Sequence, residues 1–434
     1  MPHQRVLFGL PTPGLGGHTR TAVALASVLR DRGYAIDFVV ASSGTQSGDP
    51  WQQRSSLIGA AGFPVLPIAG LYAPPGERSF HQNLRDLVRR NQFDALHWFE
   101  DHALRDAALV AARERRAFVF THTSGALPAG YCGLNSVVVY TREVAEDARR
   151  RRPRTAVHVL PARFDFRPLD SDFVQSARRD IRARFAVTNE DLLIVRVARC
   201  TPDYLRSVRA GIALANSLNR AGRPAVFVHA GYVEDQQVAL EIRQVVDQVN
   251  AAAGRPIAHS VTQDVAVGTR FAAAADVCIA SGRSAIEALA LARPTLVAWG
   301  SRYLGMVDAM NIHAISETNF QGRNSEPVVS DDYVVSSMHE AVRRRLAEPA
   351  GGAATNELCA DLVRQRYSVE SAADTYQRLY ADRTVTVDGF WKHYTQPRVV
   401  GWELFYRLPV SIRVSRPARF LRRKRLWPGS PQDD

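Results

Sequence analysis

A guanidinium group at the end of a hydrophobic strand suits the oxygens of a phosphate, because its planar fork of N–H donors meets them two at a time. One stretch of this kind runs from Leu192 to Val197 into Ala198-Arg199-Cys200-Thr201-Pro202-Asp203-Tyr204-Leu205-Arg206 and offers Arg199 and Arg206 as a diphosphate clamp. On residue types alone, a solvated loop accounts for it as well. A second stretch, Phe271 to Val297, reads as strand, small-residue turn, helix and strand, with Gly282, Arg283, Ser284 and Ala285 at the helix start. The N–H groups of a first helical turn can take an anion, and Glu287, one turn further on, can accept hydrogen bonds from ligand hydroxyls. The plainer alternative is an exposed glutamate stabilised by the positive end of its helix. A third stretch follows the first strand: Pro11-Thr12-Pro13-Gly14-Leu15-Gly16-Gly17-His18-Thr19-Arg20. Such a turn can cradle a phosphate or simply join strand to helix. It is not the dinucleotide fingerprint, since Thr19 stands where the third glycine belongs and Asp37 lies too early in its strand.

Periodicity supplies the elements that must hold these residues. Val6 to Leu10 is an apolar strand, Thr19 to Arg32 has helical spacing that Gly33 ends, and Ala35 to Val40 is a strand again. Strands at Ala95 to Trp98, Ala117 to Thr121, Val137 to Tyr140 and Val157 to Leu160 follow, with a helix over Ala103 to Arg115. The alternation restarts at Leu192, with strands at Ala225 to His229, Val277 to Ala280 and Thr295 to Ala298. Helices fall at Val208 to Leu218, Val238 to Val249, Arg270 to Ala275 and Ser284 to Ala292. Strand and helix alternating in this way predict parallel sheets covered on both faces. Two doubly wound halves therefore meet near Arg163 to Ser176 and face each other across a cleft at the carboxyl ends of their strands. The segment Gly44 to Arg78, rich in Gly, Ser and Pro, is expected to be an irregular excursion.

With those pieces in order, Ala275-Asp276-Val277 through Ser281, Glu287-Ala288 and Pro294 resembles the signature of nucleotide-sugar-dependent glycosyltransferases of the GT-B fold, most closely glycosyltransferase family 4. Gly16-Gly17 resembles that family's first-strand glycine loop and Phe93-Asp94-Ala95-Leu96-His97 its "FDVLH" strand. Phe120-Thr121-His122-Thr123-Ser124 is similar to the "FHTS" element of phosphatidylinositol mannosyltransferases, and Val159 to Asp165 to the entry into the second domain. The resemblance spans most of residues 5 to 380. It implies two Rossmann-like domains, an acceptor-binding domain over 1–165 and a nucleotide-sugar-binding domain over 166–380, followed by a tail over 381–434.

It also implies a glycosyltransferase that needs no metal or other cofactor and retains configuration, with a nucleotide diphosphate sugar as co-substrate and a lipid, glycan or other cell-surface precursor as acceptor. Arg199 would bind the diphosphate and Arg206 replace the family's lysine. The amides of Gly16 and Gly17 would face the donor phosphate and reacting sugar. Gly282, Arg283, Ser284 and Ala285 would lie along the donor, with Glu287 on its ribose, and His122 beside the sugar or acceptor. One departure stands out: the family's first paired acid, seven residues before Glu287, is Ala280 here. That favours, as the alternative, a GT-B-shaped protein that binds a sugar nucleotide without turning it over.

Composition bounds the rest. No stretch reaches the apolar length of a membrane span, and the amino terminus lacks a secretory signal, so a cytoplasmic protein is expected. Cys132, Cys200, Cys278 and Cys359 are scattered and read as four buried thiols rather than a zinc or disulfide set. Asp170-Ser171-Asp172 is read as a solvated turn, and Asp101 in Glu100-Asp101-His102 as a helix cap rather than a metal ligand. The formal charge is +12 with only two lysines, Lys392 and Lys424. Pro397 to Asp434 holds nine basic residues against three acids, interleaved with aromatics such as Trp402, Phe405 and Trp427. An anionic membrane surface on the inner face would attract such a tail, a merely solvated tail fits the same composition, and no specific nucleic acid is expected.

Overall fold

The computed structural model describes residues 4–11, 17–41, 50–69, 79–123, 134–151, 153, 155–161, 163–262, 268–323, 325–327 and 330–382. Gly16, Cys132, Ser124 and the tail from 383 onward lie outside the described residues. The chain divides into two units, one made of residues up to Asp165 together with those from Val369, the other of Phe166–Ser368.

The first unit is built on seven strands: β1 (Arg5–Gly9), β2 (Ala35–Ala41), β3 (Val65–Ile68), β4 (Ala95–Trp98), β5 (Ala117–His122), β6 (Ser136–Val139) and β7 (Ala156–Val159). All pair in parallel, in the order β3-β2-β1-β4-β5-β6-β7. The sheet is buried on both faces because its strands are short, nearly unbroken apolar runs whose successive side chains alternate in direction. Leu7, Leu96, Trp98 and Phe120 face α3 (Phe80–Asn91), α4 (Leu104–Arg113) and α5 (Arg142–Arg151). Val6, Phe8, Phe38 and Val119 face α1 (Gly17–Asp31), Ile58 of α2 (Pro50–Ala60) and a helix from the far end of the chain, Glu370–Ala381. Two expectations change here. The excursion Gly44 to Arg78 contains α2 and β3, which weak amphipathic patterning hid. Residues 369–380, assigned from sequence to the second domain, pack on the first, where Tyr376 and Tyr380 are fully buried.

The second unit opens with α6 (Ser171–Arg184). Asp170 is its N-cap, accepting from the Phe173 amide at 2.8 Å, so the exposed Asp-Ser-Asp is a helix start rather than a free turn. The sheet holds β8 (Leu192–Val197), β9 (Ala225–Ala230), β10 (Ala258–Val261), β11 (Val277–Ala280), β12 (Thr295–Trp299) and β13 (Arg302–Met306) in the order β10-β9-β8-β11-β12-β13. Only β13 is antiparallel, folding back on β12 after Gly300, whose φ of +56° suits a tight reversal. One face carries α7 (Pro202–Arg220), α8 (Gln236–Ala253) and, after the short α11 (Ile312–Glu317), α12 (Asp331–Ala347). The other carries α6, α9 (Gly268–Ala274) and α10 (Arg283–Ala290). Next comes α13 (Pro349–Tyr367), and the helix Glu370–Ala381 in the first unit is α14. Cys200, Cys278 and Cys359 are buried free thiols, as their scatter in the sequence predicted. Burial pushes the Cys278 thiol up to about 12. Among the described residues no helix is long and apolar enough to cross a membrane.

Candidate functional site

In each sheet the strand order reverses at one place, between β1 and β4 in the first unit and between β8 and β11 in the second. Neighbouring loops diverge at such a point and leave a crevice at the carboxyl ends of the strands.

At the first reversal β1 ends at Gly9, and α1 begins at Gly17, an exposed residue whose carbonyl accepts from the Thr21 hydroxyl at 2.9 Å. His18 follows. Its Nε2 lies 2.8 Å from Glu100 Oε1 and 2.8 Å from Arg54 Nη2. Arg54, on α2, is fully buried; it donates from Nη1 to the Leu10 carbonyl at 2.8 Å and stands 2.9 Å from Glu100 Oε1. Burial pulls the Arg54 pKa down while the charge of Glu100 holds it up. Glu100 Oε1 thus stands within ion-pair distance of both His18 and Arg54. Sequence reasoning missed this cluster: Arg54 sat in a supposed irregular segment, and only the position of His18 just after the glycine turn hinted at it.

One strand further on, His122 closes β5, is 4% exposed, and places Nδ1 3.7 Å from Asp101 Oδ1. Asp101 does not cap α4. Ala103 occupies the cap in left-handed conformation, without a side-chain cap bond. Below the edge, His97 is bonded through Nδ1 to the Tyr380 hydroxyl (2.7 Å) and through Nε2 to the Thr121 hydroxyl (2.8 Å), which ties α14 to the sheet. With no charged partner in that network, burial holds the His97 pKa well below its ordinary value. It is a structural histidine.

At the second reversal, Ala198 and Arg199 leave β8 beside Gly231, the residue after β9. A Cβ on Gly231 would lie 1.7 Å from the Ala198 carbonyl oxygen, so only glycine permits this approach. Arg199 is half-exposed, bonds Glu234 Oε2 at 2.6 Å, and lies 5.8 Å from the centre of the Tyr204 ring. Partial burial opposes its charge, yet Tyr232, Tyr204 and Glu234 together raise its pKa above the ordinary arginine value. Arg206 stands elsewhere, on α7, ion-paired with Asp331 at the start of α12 and beside the β12–β13 turn.

Across the crevice, β11 runs into Ser281 and Gly282. Gly282 has φ +54° and ψ −127°, which glycine tolerates, and its amide is taken by the Phe320 carbonyl at 3.2 Å. That leaves Arg283, Ser284 and Ala285 to supply the first-turn amides of α10. The Ser284 hydroxyl donates to the Ser281 carbonyl at 2.9 Å and locks the turn. Glu287 is buried rather than exposed, and Arg283 Nε donates to its Oε1 at 2.9 Å. At the second reversal Arg199 follows β8 and Gly282 to Glu287 follow β11, with Arg206 apart on α7. In the first unit Gly17 follows the reversal strand β1 and His122 stands one strand away, at the end of β5. Ala280 is a buried β11 residue with no acid to offer. Among the described residues no cluster of His, Cys, Asp and Glu could hold a metal ion.

No protein-family model matches the sequence, and no curated protein does. Solved structures do match. A glycosyltransferase from Rickettsia africae ESF-5 aligns with a TM-score of 0.64 at 12% identity, over 88% of this chain and 99% of its own. Anabaena Alr3699/HepE, solved in complex with UDP-glucose, aligns at 0.63 and 14% identity over 87% and 100%. WaaG, a glycosyltransferase involved in lipopolysaccharide biosynthesis, aligns at 0.53 and 14% identity over 85% and 99%. The chain has the GT-B fold. At these identities the likeness concerns architecture, and the two Rossmann-like sheets are its substance.

Proposed function

We propose that this GT-B chain is a glycosyltransferase, moving a sugar from a nucleotide diphosphate sugar to a lipid, glycan or other cell-surface precursor acceptor, with retention and without a metal ion. The observation that carries the reading is the second-sheet reversal, where the Arg199 guanidinium and the first-turn amides of α10 come from the two strands that flank the crevice. Support comes from the shared fold of Anabaena HepE, a protein solved with UDP-glucose. In the reaction the bond from the anomeric carbon to the diphosphate oxygen breaks, a bond to the acceptor oxygen forms, and the acceptor hydroxyl passes its proton to the departing diphosphate. Negative charge grows on the departing diphosphate. Preorganised donors aimed at that charge lower the barrier without a metal's help, a role for Arg199 and the amides of Ser284 and Ala285.

Glu287, fixed by Arg283, accepts from the donor ribose. Arg206 takes the place of the family's lysine, but its Asp331 partner must yield first. In the first unit the Gly16 and Gly17 amides meet the donor phosphate and reacting sugar, and His122 stands beside sugar or acceptor. We read the enzyme as cytoplasmic and peripheral on the inner membrane face through residues 397–434. The same fold binding a sugar nucleotide without turnover is the second reading, favoured by Ala280.

A thermal-shift screen of the folded protein against UDP, GDP, ADP and their sugar derivatives, with NAD and NADP as controls, tests the donor site. A selective rise with one nucleotide is expected, and Arg199→Ala should weaken that ligand about tenfold to a hundredfold. A flat screen removes the donor reading. Binding without any transfer to lipid or glycan acceptors moves the assignment to the second reading.

A further inference from the structure

Arg196 belongs to no motif, yet it is the one charged residue of β8, next to the strand's carboxyl end, and is fully buried. Its Nε donates to the Ser207 hydroxyl at 3.0 Å and Nη1 to the Ile279 carbonyl at 3.2 Å. Nη2 donates to the Ser281 hydroxyl and the Ala298 carbonyl, each at 3.2 Å. These acceptors lie on α7, at the end of β11, in the turn before α10 and at the end of β12. All are neutral. Among the described residues no carboxylate pairs with Arg196. Burial draws its pKa down to about 10, which still leaves it charged at neutral pH.

A charge withdrawn from water without a counter-charge is among the most expensive features a core can hold, and central strands of such sheets are ordinarily filled with aliphatic residues. Arg196 lies 5.3 Å and Arg199 5.8 Å from the centre of the same Tyr204 ring, so one aromatic side chain links the buried cation to the half-exposed one. The hydroxyl that Arg196 grips belongs to Ser281, whose carbonyl and amide are bonded to the Ser284 hydroxyl. One buried side chain is therefore wired to the turn that presents the α10 amides.

We propose that Arg196 is a positioning residue for a diphosphate at the second-sheet reversal, holding the Ser281–Gly282 turn and adding a fixed positive charge beneath the anion that Arg199 contacts. This rests on reading that reversal as the nucleotide diphosphate site. The charge needs no counter-carboxylate because the ligand supplies the counter-charge, and the four neutral acceptors hold the guanidinium in place between turnovers.

The test compares Arg196→Lys, which keeps the charge, with Arg196→Gln, which keeps a polar group and loses it. Equilibrium binding of UDP, GDP and ADP, and of uridine, guanosine and adenosine as uncharged counterparts, is measured on the full chain at two salt concentrations. For whichever nucleoside diphosphate the wild type binds, Arg196→Gln should lose roughly tenfold to a hundredfold in affinity. Its salt dependence should flatten, and affinity for the matching nucleoside should stay within about twofold. Arg196→Lys should recover most of the loss. Equal binding by the Lys and Gln variants, or equal losses for nucleoside and diphosphate, would leave Arg196 a structural residue and overturn the proposal. A wild type that binds none of the three diphosphates refutes the donor reading itself, a result distinct from normal wild-type binding that the Arg196 variants leave unchanged.

Discussion

The two strand-order reversals solve the problem of a buried arginine in opposite ways. At the first, Arg54 is fully buried against a carboxylate and an imidazole, so the charge is balanced within the protein. At the second, Arg196 is just as buried against carbonyls and hydroxyls, and the charge is left over. A balanced edge has no surplus charge to offer a ligand. An edge with surplus positive charge favours a ligand that arrives as an anion. The same sheet architecture thus holds a buried arginine in two electrostatic settings, and on our proposal the counter-charge missing at the second is supplied by the ligand.

Removing the balance at the first reversal should have the largest effect on stability. Glu100→Ala leaves Arg54 and His18 without their carboxylate, and breaking a buried pair from one side costs about 3–5 kcal/mol. Hydrogen exchange should then show faster opening in α1, α2 and β4. A loss below about 1 kcal/mol would mean that neutral acceptors such as the Leu10 carbonyl satisfy Arg54 without the carboxylate, in the manner of Arg196, and the contrast would vanish.

Acid should affect both units through buried histidines. His229 is bonded by Nδ1 to the Ser260 hydroxyl (3.0 Å) and by Nε2 to the Ala198 carbonyl (2.9 Å). Burial, aided by the Arg196 charge, pulls its pKa down to about 4 against the favourable pull of the Ala198 carbonyl. Between that value and about 6.5 the unfolded chain binds a proton that the folded chain refuses, so stability rises with pH there and is lost on acidification. The loss from His229 alone approaches about 3 kcal/mol below pH 4. His97 shifts in the same direction in the first unit. Unfolding midpoints measured from pH 7 to pH 4 should fall; flat midpoints would mean that neither histidine is kept neutral.

His122 sharpens the comparison on the side of chemistry. If the first reversal handles the acceptor, His122→Ala should lower kcat by about a hundredfold while changing donor affinity less than threefold. Steady-state kinetics beside direct nucleotide binding separate the two. Equal losses in both, or none in either, would return His122 to a packed strand-end residue.

Much of this arrangement was legible before any coordinates. Strands β1, β4, β8 and β11 are nearly uninterrupted apolar runs bounded by glycine or polar turns, and a run of that kind has few other stable fates than a buried parallel strand. The residues flanking the second crevice, Arg199 and Gly282 to Glu287, were visible for the same reason, since they abut those runs. What stayed hidden depends on contacts distant in sequence. Arg54 sits on a helix whose apolar face is too weakly marked to announce itself, and its partners lie at 18 and 100. The ion pair on Glu287 has local spacing, Arg283 being one turn away, but spacing alone does not disclose that Glu287 is withdrawn from water. Arg196 was hidden by its own strand, where a single basic residue in a Val- and Leu-rich run looks like an edge position until β11 and β12 are placed beside it. The assignment of α14 failed because sequence order suggests the neighbouring domain, whereas the pairing of His97 with Tyr380 spans 283 residues.

That long-range pair gives the mildest test. Tyr380→Phe keeps the ring packed against Tyr34 and His97 and removes one hydroxyl, so the change isolates the bond to His97 Nδ1 at 2.7 Å. A buried imidazole nitrogen left without its partner costs about 1–2 kcal/mol. The effect should be confined to the first unit, with exchange quickening in α14 and β5 while β8 and β9 keep their protection. If protection in β8 and β9 falls as well, α14 couples the two units, and the charge contrast between their reversals could no longer be tested one unit at a time.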